Sequence, residues 1–193
     1  MASFEFCPAG AGTWTLTPND LVLSNEESAH AVVAALMNLP ILDARVDRPE
    51  VGVGGHVSIA GQATEPVSCE DDIRRADYRR LLAILAGPVF VGAWDSWKWP
   101  LDADDQGDVG LVARYCRWLR YDWVDLFVAE QRVKALLRDK AVNRAIKAVG
   151  TELLDQGAIL GARVYELVVQ AEVDPDVVNK ALLPLVKRSE SRG

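Results

Sequence analysis

The sequence predicts an α+β domain, mostly α-helical, with a small β-sheet after its first helix and a helical bundle toward its C-terminus. Three observations carry this. Apolar residues recur at helical spacing before residue 37, again over 73–85, and across most of 109–169. Between the first two runs, "ILDARVDRPEVGVGGHVSIAG" alternates apolar and polar residues and is rich in Val, Ile and Gly. Pro40 and Gly157 stand just past helical runs, where each stops a helix for a known reason.

Each element follows in order. Residues 1–20 hold Pro8, Gly10, Gly12 and Pro18 and read as irregular. Ser24 or Asn25 then caps a helix, with Glu26 and Glu27 as first-turn acids and Ala31, Val32, Ala34, Ala35 and Leu36 as its apolar part. The alternating stretch gives two or three short strands, with Gly54-Gly55 at a turn or bulge. Residues 62–71 read as a loop. "DDIRRADYRRLLAILAGPVFVGAW" is a second helix, broken or kinked at Gly87-Pro88. "DSWKWPLDADDQGD" is an acidic loop. Helices follow over "VGLVARYCRWLRY", over "DLFVAEQRVKALLRDKAVNRAIKAVGTELLDQG" as one long helix or a pair, and over "ARVYELVVQAE". A short last helix begins at Asp174-Pro175, an acid cap with proline in the first turn. This divides the chain into an irregular segment (1–20), a main domain (21–172) and a short C-terminal helix with a tail (173–193).

Composition narrows the function classes. The 193 residues are half hydrophobic and a quarter charged, enough to bury a sizeable core. Net charge is −7, with no basic run beyond Lys187-Arg188, so nucleic acid is excluded as an expected partner. No stretch approaches the roughly 18 apolar residues of a membrane span. The N-terminus lacks a basic start with an apolar run behind it. Three dispersed cysteines, Cys7, Cys69 and Cys116, fit reduced thiols and a cytoplasmic setting. Cys116 reads as a small core residue, since no histidine is placed to activate it.

One tract carries chemistry. Glu26-Glu27-Ser28-Ala29-His30 has the spacing of H-E-x-x-H with Glu in the first position. That spacing puts residues i and i+4 on one helix face, where they share a metal, while the residue after the first ligand handles the proton of a bound water. The bland alternative is a pair of solvated first-turn acids beside a buried histidine. Asp108 likewise reads either as a third ligand or as the N-cap of the helix that follows it. His56 reads as a strand-edge residue. The tryptophans Trp94, Trp97 and Trp99 either cover the core beneath their loop or mark a binding surface.

The tract "EESAHAVVAALMNLPI" resembles "HEAGHAVVA-L-LP", the opening of the peptidase domain of FtsH-type zinc proteases. "GVGGHV" lies where that family has a glycine-rich strand. "RRLLAILAGPVFVG" is similar to its second helix. "DDQGDVGLVARYCRWL" resembles the segment whose Asp supplies the third zinc ligand, and the hairpin from "VKALL" to "YELV" resembles its last helices. Order and spacing agree over about residues 22–170. The resemblance implies an FtsH-type peptidase-domain fold, with Glu26, His30 and Asp108 as metal ligands and Glu27 as general base. It also implies a peptide or protein substrate bound along the strand that holds Gly54, Gly55 and Val57, and a homo-oligomer that is a hexamer in that family. No nucleotide-binding G-x-x-x-x-G-K-[ST] is present, so the domain stands without an ATPase module. One histidine and two carboxylates form a harder, more anionic set than the family's own, which suits Mn²⁺, Fe²⁺ or Mg²⁺ better than Zn²⁺. Two readings therefore stand side by side. One is a metal-dependent peptidase. The other is an inactive pseudo-peptidase without metal, serving as an interaction or oligomeric scaffold.

Overall fold

A computed structural model of the chain describes residues 18–47, 54–60, 70–105 and 107–183. Helix α1 (Pro18–Leu36) lies at the centre. From Glu27 to Ala35 every residue is buried, because α2 (Glu70–Phe90), α5 (Lys140–Gln156), α6 (Gly161–Gln170) and the sheet all pack on it. A helix surrounded on all sides carries apolar residues all round, and α1 does so with Ala29, Ala31, Val32, Val33, Ala34 and Ala35. The helix begins at Pro18, six residues before the expected Ser24 cap. Ser24 sits inside it, fully buried, and donates to the Gly150 carbonyl of α5 at 2.8 Å. Glu26 and Glu27 are consequently mid-helix residues, and the reading of them as first-turn acids falls.

The sheet has three antiparallel strands in the order β2-β1-β3, formed by β1 (Ile41–Asp47), β2 (Gly54–Ile59) and β3 (Ala158–Leu160). The first two are the expected pair. Gly54 and Gly55 are not a turn: they open β2 opposite Asp47 and Val46, and the register irregularity falls in β1 between Ile41 and Asp43. The third strand comes from beyond α5 and pairs Ala44 of β1 with Ile159. Three residues are too few for a periodic signal, so only the partner strand defines it.

Helix α2 runs through Gly87-Pro88 without ending there. Pro88 deprives the Ile84 carbonyl of its i+4 donor, but it stands in the last turn, and buried Leu81, Leu82, Leu85 and Ala86 hold the helix against α1. A 3-10 turn (Trp94–Ser96) leads into the acidic loop. There Trp94 is buried with the Trp97 ring 4.5 Å away, and Trp99 is exposed. Helix α3 (Asp108–Leu119) follows, then α4 (Trp123–Leu137), α5, α6 and α7 (Pro175–Ala181). The expected long helix is thus a pair, α4 and α5, divided by Asp139, whose carboxylate caps α5. Gly157 closes α5 at φ 75°, and Asp174 caps α7 with Pro175 at its first position. The chain is mostly helical with one small sheet, as its patterning predicts.

Candidate metal centre

Three elements that are distant in sequence meet beside β2. Helix α1 brings Glu26, Glu27 and His30, α2 brings its Ala83–Gly87 turn, and the start of α3 brings Asp108. His30 is the pivot. Its Nδ1 lies 2.8 Å from the Ala83 carbonyl, which can only accept, so this nitrogen carries a hydrogen. That bond fixes the ring and aims Nε2 at Asp108, whose Oδ2 is 3.0 Å away. A carbonyl holding one ring nitrogen and so fixing the tautomer is the support that metal-ligating histidines use; here the other nitrogen is taken by Asp108.

Asp108 is the first residue of α3, not its cap: Gly107 occupies the cap position. The carboxylate is therefore left to point at His30, and the helix N-terminus favours its negative charge. The loop before it is tied down, with Asp105 Oδ1 accepting from the Gly107 N–H at 2.7 Å and Arg114 donating to the Ala103 carbonyl at 2.9 Å.

Glu26, His30 and Asp108 offer ligand atoms that all lie within 4.8 Å of one another, and this group could hold a metal ion. One imidazole nitrogen and two carboxylate oxygens are a donor set that divalent ions accept. Glu27 is buried beside it. Electrostatics tie the group together. Burial raises the Glu26 carboxyl above its usual range; the His30 charge opposes this and the Asp108 charge adds to it. Burial alone would lower the His30 pKa, but the Asp108 hydrogen bond and the Asp108 and Glu27 charges outweigh it and raise the imidazole to about 9. In the metal-free protein, His30 is an imidazolium clamped by carboxylates.

Two glycines leave the room this needs. A Cβ on Gly87 would stand 2.1 Å from His30 Nε2, and one on Gly55 would stand 2.4 Å from Glu27 Cγ. The sequence suggests a break or kink at Gly87 and a turn or bulge at Gly55; in the fold both are close approaches to site side chains. A glycine next to a proline carries no mark that separates the two cases.

A groove of about 310 Å³ opens over the site. Gly55 and Val57 line it with Ile59, Ile84 and Leu111, so its walls are largely apolar above an acidic floor. Gly54 pairs with Asp47 at the start of β2. His56 borders the groove and stands opposite Arg45 in the sheet. Among the described residues β2 is an edge strand, pairing with β1 alone. Cys116 is buried in the core, where burial pushes its thiol up to about 12. No helix is long and apolar enough to cross a membrane among the described residues. No protein-family model matches this sequence, and no curated protein matches it either.

Proposed function

We propose that this chain is a metallopeptidase-type domain of the FtsH class, with Glu in place of the first histidine ligand. Glu26, His30 and Asp108 would hold the divalent metal, Zn²⁺ or one of the harder ions that two carboxylates favour. One observation carries the reading: His30 and Asp108, 78 residues apart, meet at 3.0 Å with Glu26 and buried Glu27 around them beside the edge strand β2. The order of motif helix, glycine-rich strand and Asp-led helix supports the family assignment. A homo-oligomer, a hexamer in that class, and a cytoplasmic setting belong to the same reading.

The bound ion would supply Lewis acidity and a water of lowered pKa, weakened here by the extra carboxylate. The residues do the rest. Glu27 would take a proton from the attacking water as its oxygen bonds to the peptide carbonyl carbon, and pass that proton to the amine nitrogen as the C–N bond breaks. The edge of β2 aligns an extended peptide by main-chain hydrogen bonds, and Val57, Ile84 and Leu111 take an apolar side chain. The Ala83 carbonyl keeps His30 in the tautomer that leaves Nε2 available.

The strength of the His30–Asp108 pair favours a second reading, an inactive pseudo-peptidase that keeps the groove as a binding surface. A metal must displace a proton from an imidazole that Asp108 and Glu27 hold above its usual range, which weakens affinity at neutral pH. Metal content of protein purified without chelator separates the readings, measured on the wild type and on Glu26→His. Stoichiometric metal in the wild type, with peptide cleavage lost in Glu27→Gln, supports the peptidase. Metal in Glu26→His alone supports the pseudo-peptidase. Metal in neither overturns the metal centre.

A further inference from the structure

A second hollow lies well apart in the chain from the groove, between the end of α4, the α4–α5 junction and α7. It measures about 340 Å³, within the range of small-ligand pockets. Its floor is apolar, with Leu136 and Ala181 buried and Val177 beside them. Its rim carries three cations, Arg132, Arg138 and Lys180, in a chain whose net charge is −7.

Among the described residues lining the hollow, the one carboxylate is Asp139, one of whose oxygens caps α5. Its Oδ1 accepts from the N–H groups of Ala141 at 2.8 Å and Val142 at 3.1 Å, at the start of α5. Among the described residues neither Arg138 nor Lys180 is paired with an acid. Arg132 is held in place. Its Nη1 donates to the Tyr78 hydroxyl at 2.8 Å and to the Leu183 carbonyl, and its guanidinium carbon lies 5.8 Å from the Tyr78 ring centroid. Arg138 and Lys180 stand at the C-terminal ends of α4 and α7, where the helix dipole favours a cation. The dipole accounts for each residue alone. It does not explain why both border one apolar hollow with a fixed arginine; Asp139 offsets one of these three positive charges, and an anion seated among them would offset the repulsion that remains.

We propose that this pocket binds an organic anion with a short aliphatic tail, of the medium-chain carboxylate class. The carboxylate sits among Arg132, Arg138 and Lys180, as arginine's planar donors suit it. The tail lies on Leu136, Val177 and Ala181, where each buried methylene adds to affinity. Nothing in this site depends on the metal centre.

The test is octanoate titrated into the full chain at low salt, followed by calorimetry and by amide chemical shifts. The expected result is saturable binding with shifts centred on Ala135, Val177 and Ala181. Inorganic phosphate, which offers charge without a tail, binds at least tenfold more weakly. Arg138→Gln with Lys180→Gln weakens octanoate at least tenfold while circular dichroism stays that of the wild type; both side chains are exposed, so the fold does not rest on them. Glu26→Gln leaves octanoate affinity unchanged, which keeps a failure here distinct from a failure of the metal centre. Absence of saturable octanoate binding overturns the proposal. So does phosphate binding as tightly as octanoate, or full affinity in the double variant.

Discussion

At the scale of single residues, the site depends on what is missing as much as on what is present. Gly87→Ala gains about 1 kcal/mol of helix propensity, yet its Cβ would stand 2.1 Å from His30 Nε2. His30 cannot swing aside, since both ring nitrogens are engaged. We expect a net loss of about 1–3 kcal/mol by urea denaturation, with displaced His30 ring resonances; an unchanged spectrum would show that α2 lies farther from α1. The His30 charge sets a pH dependence of definite sign. Its folded pKa, about 9, lies above the unfolded value of 6.5, so in chelator-treated protein its stabilisation is complete below 6.5 and lost as pH rises through 9. Asp108→Asn removes most of that fall in stability between pH 6.5 and 9.5, and stability measured in both proteins across that range checks it. Of these residues the sequence makes the motif legible, because i,i+4 spacing is a helix property whichever residues fill it. It does not make the Ala83 carbonyl or the Gly87 contact legible, because both are backbone features of another helix.

At the scale of elements, caps were read more surely than starts without caps. Asp174 and Gly157, the two the sequence marks, work through chemistry local to their own turns, and each stands at a boundary; Asp139 caps α5 the same way inside a stretch that reads equally as one long helix. The α3–α4 junction follows the same rule. Asp122 accepts from the Val124 and Asp125 N–H groups, and Asp125 returns a bond to the Asp122 N–H. We expect Asp122→Ala to cost about 0.5–2 kcal/mol and Asp122→Ser much less, measured by thermal melts; equal losses in both would discount the cap. Helix α1 misled in the other direction. Ser24 looks like a cap because serine usually is one, but here its hydroxyl crosses to α5, where Gly150 has no side chain to obstruct it. Strand β3 left no trace, since three residues between two helices owe their conformation to β1.

At the scale of the whole molecule, the candidate ligands sit on the most central helix and on a helix that packs against α2 but supplies only one of them. Binding would therefore draw on global stability. At a free metal concentration of 100 Kd, linkage adds about 2.7 kcal/mol, which for a domain of this size raises Tm by roughly 5–11 °C. The peptidase reading expects that rise on adding Zn²⁺ or Mn²⁺ to chelator-treated wild type and its loss in Asp108→Asn. A flat melting curve with every divalent ion would leave the pseudo-peptidase reading. The mixed fold class was legible in the periodicities, because helix and strand periods differ and the chain changes from one to the other only once before residue 70. Which helix is central was not, since a buried alanine-rich helix and an exposed one share composition.

The 78 residues between His30 and Asp108 also set an order in time. A chain leaving the ribosome at 5–20 residues per second exposes its motif helix roughly 4–16 s before Asp108 emerges. Strand β1 waits longer still, until Ala158–Leu160 has been made, for its second neighbour. During that interval Glu26 and His30 stand without Asp108, and the edge of β1 that β3 will cover is unpaired. The nascent chain cannot assemble the centre, and it presents a bare strand edge to any protein that caps such edges during synthesis.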